Sequence, residues 1–115
     1  MLARLTRRAE FVRAAQQGRK AASRNLVLQA LPQAGEATRL GFTATKKIGN
    51  AVRRNRAKRR LRAAARLVLC PHSGGPASAP GHDIVLIARD GTATCPFNDL
   101  LGEIEAALKR TGARP

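Results

Sequence analysis

The sequence predicts a two-layer α+β domain in which one sheet is packed by helices. Three observations carry this. The apolar residues change period along the chain, giving the order helix, strand, strand, helix, strand, helix. At 115 residues the chain can build one core and is too short for two ordinary domains. Apolar residues make up 43% of it, enough to fold rather than stay disordered. Residues 1–115 therefore read as a single domain, with a frayed tail at 111–115.

The first helix is expected from Thr6, as its cap, to about Gln17, with Leu5 and Phe11 as apolar contacts and Gly18 as its stop. From Ser23 to Leu31 the chain is short and apolar, which suits a strand with Leu26, Leu28 and Ala30 on one face and Asn25, Val27 and Gln29 on the other. A turn at 32–37 leads to a second strand, Arg39 to Thr45. It should turn Leu40, Phe42 and Ala44 to the core and Gly41, Thr43 and Thr45 to solvent. Gly49 breaks it, and Asn50 or Ala51 opens a helix to about Cys70, where Pro71 ends it. The Pro/Gly/Ser stretch 71–81 reads as a flexible loop. Asp83 to Arg89 is a strongly apolar, β-branched strand, expected at the centre of the sheet. Pro96 starts a last helix striped by Leu100, Leu101, Ile104 and Leu108.

Charge bounds the function. Lys plus Arg number 22 against 7 acids, a net +15, so a polyanionic partner is implied. No acid lies between Glu36 and Asp83, and the cations crowd into that interval, while the last third mixes signs and reads as scaffold. Cys70 and Cys95 lie far apart with no metal-ligand spacing, which fits reduced cytosol and suggests neither a zinc site nor a disulfide framework. The N-terminus has charge but no apolar export segment, and no stretch approaches transmembrane length. His72 sits in the Pro/Gly/Ser loop, His82 just precedes a strand, no acidic cluster could hold a metal, and no phosphate-binding or nucleophile-elbow motif occurs, so the chain reads as a binder.

The binding surface is expected on the middle helix. Ala57, Leu61, Ala64, Ala65 and Val68 fall on one side at 100° per residue, and the remainder is cationic. Asn55, Arg59, Arg62 and Arg66 form one ridge, and Arg53, Arg56 and Arg60 a second. A merely solvated helix would mix signs to gain i,i+4 pairs, and this one has no acid. Arg53, Arg54 and Arg56 also sit in the first turns, where the helix dipole disfavours cations. A phosphate backbone docked there with Lys46 and Lys47 would reverse that penalty, and arginine forks suit it. With only Phe11, Phe42 and Phe97 as rings, backbone and shape recognition should outweigh base stacking.

The segment Gly41 to Arg62, with Lys46-Lys47-Ile48-Gly49, the Arg54-Asn55-Arg56 core and Lys58-Arg59-Arg60-Leu61-Arg62, resembles the signature of the bacterial ribonuclease P protein component. Leu5 to Gly18 is similar to that family's opening helix and Gly81 to Arg89 to its last strand. The resemblance implies an αβββαβα sandwich with a left-handed βαβ crossover, a ribosomal-protein-like domain with one more early strand than periodicity finds. It implies a catalytic RNA as partner, which with Mg²⁺ removes the 5′ leader of precursor tRNA, the protein binding no cofactor and supplying no catalytic residue. It implies a cytoplasmic protein, monomeric apart from RNA, with no membrane contact.

Matching positions make Lys46, Lys47, Arg54, Asn55, Arg56, Lys58, Arg59 and Arg62 the RNA contacts, to which the ridges add Arg53 and Arg66. Phe11, Val27, Gln29, Thr43 and Thr45 would line a cleft for the single-stranded leader. The chain departs from the family at Ala15 and Gln29, where aromatics are common, and at Ala63 and Ala65, where an acid and an aromatic often stand, so charge should carry more of leader binding here. A small basic ribosomal protein would share charge, size and fold but lacks the signature. A membrane-surface helix is disfavoured by the Ala-rich apolar stripe.

Overall fold

The computed structural model describes residues 3–32, 38–69 and 81–112. The expected turn at 32–37 and loop at 71–81 fall almost wholly outside these, as do Cys70 and residues 113–115. The elements are β1 (Ala3–Arg4), α1 (Arg8–Gln17), β2 (Arg19–Ala22), β3 (Leu26–Pro32), β4 (Arg39–Thr43), a 3-10 turn (Lys46–Ile48), α2 (Ala51–Leu69), β5 (His82–Ala88) and α3 (Phe97–Thr111). They form one five-stranded mixed sheet in the order β1-β4-β5-β3-β2. β5 is central, as its apolar run predicts, parallel to β4 and antiparallel to β3.

Strand alternation divides the core. Leu26, Leu28 and Ala30 of β3, Leu40 of β4, and Ile84, Leu86 and Ala88 of β5 join Ala57, Leu61, Ala64, Ala65 and Val68 of α2 and Leu100, Ile104 and Leu108 of α3 in one buried cluster. These are the helical positions the 3.6-residue period selects. Residues of the opposite parity meet α1 in a smaller cluster, where Leu5, Ala14 and Val85 are buried and Phe11 and Ile87 pack against them. So α2 and α3 form the second layer of the sandwich, and α1 lies on the other face of the sheet.

Two element ends depart from expectation, and one early strand, which the resemblance implied, escapes the periodicity. Thr6 does not cap α1: Arg7 holds the cap position without a side-chain bond, and Glu10 reaches back to accept the backbone N–H of Arg7 at 3.0 Å and of Thr6 at 3.3 Å. β2, Arg19–Ala22, is a strand that periodicity missed, paired along its length with β3. At the C-terminus Thr111 is not frayed, being buried as the last residue of α3 with its hydroxyl donating to the Ala107 carbonyl at 2.9 Å.

Candidate nucleic-acid interface

The start of α2 is fixed by Asn50, whose side-chain oxygen accepts the Arg53 backbone N–H at 2.9 Å. Its first turn carries no acid, as the sequence requires. Once the apolar stripe is seated on the sheet, the polar residues divide into two flanks and a crest.

One flank is tied to the protein. The segment 89–95 turns back on itself, Thr92 N–H bonding the Arg89 carbonyl at 3.0 Å and Cys95 N–H the Gly91 carbonyl at 2.8 Å, and lays further carbonyls along α2. Arg53 donates to the Asp90 carbonyl at 3.2 Å, Arg56 Nε to Ala93 at 2.9 Å, and Arg60 to Thr92 at 2.7 Å and also to Cys95. Arg53 and Arg56, expected as RNA contacts, thus commit part of each guanidinium to this segment. Arg60 is the most committed of the three.

The segment is held in turn by its neighbours. Thr92 Oγ1 donates to the Asn25 carbonyl and accepts the Arg89 N–H at 2.9 Å. Gly91 sits so close to Asn25 that an added Cβ would lie 2.1 Å from its side-chain oxygen. Glu103 of α3 completes the anchor, accepting from Ser23 Oγ, from the Asn25 backbone N–H at 2.8 Å and from its side-chain amide at 2.6 Å. Partial burial raises the pKa of that carboxyl, but the bonds from Ser23 and Asn25 outweigh it and hold Glu103 below its ordinary 4.5. Burial pushes the nearby Cys95 thiol up.

The other flank, Arg54, Lys58 and Arg62, is half-buried. Arg62 places its guanidinium 5.6 Å from the ring centre of Phe42. The Nε atoms of Arg54 and Arg62 are buried with no hydrogen-bond partner among the described residues. The crest, Asn55, Arg59 and Arg66, is exposed. Val52, 76% exposed, joins Asn55, Lys58, Arg59 and Arg62 around an open hollow of about 510 Å³. Lys46 and Lys47 extend the cationic surface from the 3-10 turn.

The residues expected to line a leader cleft lie on one face of the sheet. Cross-strand register sets Thr43, Ile87 and Val27 in one row and Gly41, Val85 and Gln29 in the next, on the face that α1 covers. Phe11 rests on Gly41, where an added Cβ would be 2.6 Å from its ring. Val27 and Thr43 are half-buried and Thr45 is exposed, but Gln29 is only 7% exposed and is not on a wet surface. Alternation alone marks the face away from the main core as solvated, and here a second helix lies over it. Beyond, on β2, Lys20 and Ala22 pair with Gln29 and Val27 and are exposed, so the face ends in a cation the sequence reading passed over. Arg39 fastens α1 to this face, bridging Glu10 and Asp83. The Arg7 backbone N–H, helped by that of Thr6 and by Arg39, holds Glu10 below its ordinary pKa.

A mixed α+β sheet displaying a long arginine helix, with no acid in that helix to neutralise it, defines a small basic RNA-binding protein. The Ribonuclease P family model matches residues 2–112. The chain belongs to the ribonuclease P protein family, the protein side of a tRNA-processing ribonucleoprotein. It is 48% identical over 112 residues to the ribonuclease P protein component of Gluconacetobacter diazotrophicus, covering 96% of this chain and 92% of that one. The Staphylococcus aureus RNase P protein superposes with a TM-score of 0.76 at 27% identity, covering 97% of each chain. The Thermotoga maritima RNase P protein does so with a TM-score of 0.74 at 26% identity, covering 93% of this chain and 96% of that one. The ribosomal-protein alternative is not favoured. Among the described residues no helix is long and apolar enough to cross a membrane.

Proposed function

We propose that this chain assists a catalytic RNA in removing the 5′ leader of precursor tRNA in the cytoplasm, with Mg²⁺ entering the reaction on the RNA and the protein supplying no reacting group. The observation that carries the reading is the crest and open flank of α2, where Arg54, Lys58, Arg59, Arg62 and Arg66 follow one another without an acid and run on to Lys46 and Lys47. Their role is to lay guanidinium forks along phosphates, which neutralises RNA self-repulsion and fixes the protein's register on the fold of the RNA. The face under α1, with Phe11, Val27, Thr43 and Thr45, takes the single-stranded leader, gripped by charge at Lys20 more than by stacking.

The test is reconstitution of the chain with its cognate catalytic RNA and precursor tRNA at low Mg²⁺ and moderate salt. The expected outcome is 5′ cleavage faster than by RNA alone. Equal rates with and without the protein refute the reading.

A further inference from the structure

Of the three phenylalanines, Phe11 is covered by α1's own packing on Gly41, and Phe42 carries the Arg62 guanidinium over its ring. Phe97 is different. It is half-buried at the first turn of α3, packs on the main core, and lines an open hollow of about 260 Å³ with Arg56, Arg59, Arg60 and Ala63 of α2. Among the described residues no acid lines this hollow; Asp99 and Glu103 border a different one beside Ser23. Leu67, one turn beyond Ala63 on the same strip of α2, is 59% exposed, so apolar surface continues past the ring.

The cations around it differ in freedom. Arg56 and Arg60 are held by the carbonyls of Ala93, Thr92 and Cys95, so their positions are set before any ligand arrives. Arg59 is exposed and has no partner among the described residues, and it borders both this hollow and the one on the crest. An aromatic wall, a small apolar floor and a cationic rim is the chemistry of a site for an unpaired base with its phosphate.

We propose that the hollow between α2 and the start of α3 holds one unstacked nucleotide of the partner RNA, its base against Phe97 and its phosphate on Arg59. The site rests on the RNA-binding reading above and adds a base contact where sequence composition favoured backbone recognition. It also brings a residue of the mixed-sign last third, which the sequence presents as scaffold, onto the interface.

The test measures holoenzyme dissociation constants against salt for wild type, Phe97→Leu, Phe97→Tyr and Arg59→Gln, with cleavage by the wild-type holoenzyme as the control on the underlying reading. Phe97→Leu keeps apolar packing but removes the π-face, and should weaken RNA binding about tenfold without changing the salt slope. Phe97→Tyr keeps the ring and should bind within about twofold of wild type, and urea unfolding midpoints for Phe97→Leu and Phe97→Tyr, equal to each other, separate a lost base contact from lost packing on the core. Arg59→Gln should make the log–log salt slope shallower by about one. If wild type binds and stimulates cleavage but Phe97→Leu binds as tightly as wild type, or Phe97→Leu and Phe97→Tyr weaken binding equally, the nucleotide site is wrong while the general reading stands. If wild type itself gives no stimulation, the general reading fails first.

Discussion

The two flanks of α2 carry the same residue type and do different work. Arg53, Arg56 and Arg60 spend donors on backbone carbonyls of residues 90–95, whereas on the other flank Arg62 lies over Phe42 of β4 and the buried Nε atoms of Arg54 and Arg62 have no partner among the described residues. The first set helps to make the protein's tertiary structure, and the second leaves its charge unspent among the described residues. An arginine run therefore cannot be read as one site. What separates its members is whether carbonyls lie within reach, which depends on how a distant loop folds.

This division yields a graded set of expectations. The largest effect should come from Arg59→Ala, Arg62→Ala and Arg66→Ala together, with affinity for the catalytic RNA falling about 100-fold and the salt slope becoming shallower by about 2 to 3. The midpoint of urea unfolding should barely move, and a large shift in it would erase the distinction between flanks.

Arg60→Ala should do the reverse. Losing charged bonds to Thr92 and Cys95 should cost about 2 kcal/mol in urea unfolding, with a smaller loss of RNA affinity. Gly91→Ala attacks the same flank from the loop, because its Cβ would strike the Asn25 side chain and displace the carbonyls that hold Arg56 and Arg60. About 1.5 kcal/mol of destabilisation is expected. If Gly91→Ala combined with Arg60→Ala is no worse than either alone, the two act through one anchor.

The smallest effect belongs to Glu103, which supports that anchor from behind. Its folded pKa lies below the ordinary 4.5, so the stability it contributes is present above that value and is lost as pH falls through the lowered folded value. Glu103→Gln should cost about 1 kcal/mol at pH 7 and flatten the acid limb of a stability–pH curve. An unchanged acid limb would remove Glu103 from the anchor.

The same contrast explains what the sequence reveals. The core stripe of α2 is legible because Ala57, Leu61, Ala64, Ala65 and Val68 recur at the helical period, and all are buried. β5 is legible as central because it is apolar on both parities. The ties on Arg53, Arg56 and Arg60 are hidden because their acceptors are backbone carbonyls, which every residue possesses. β2 is hidden because Arg19 and Lys20 are exposed and leave only Ala21 buried. Gln29 is misplaced because strand alternation says which residues share a face, and only tertiary packing says that α1 covers that face. Phe97 is visible as a helix start, but its company with Arg56, Arg59 and Arg60 exists only after α3 packs beside α2.

The central position of β5 also bears on how the protein is made. β5 joins β3 to β4, so the sheet cannot close until residues 82–88 have emerged from the ribosome. By then the whole of α2 has already been synthesised, with its apolar stripe lacking the strand that completes its core and its cations unopposed by any acid of their own segment. For that interval the nascent chain is a tethered polycation, able to attract any nearby RNA before its intended surface exists. Docking of β5 completes the core behind α2 and so decides which of its cations finally face outward.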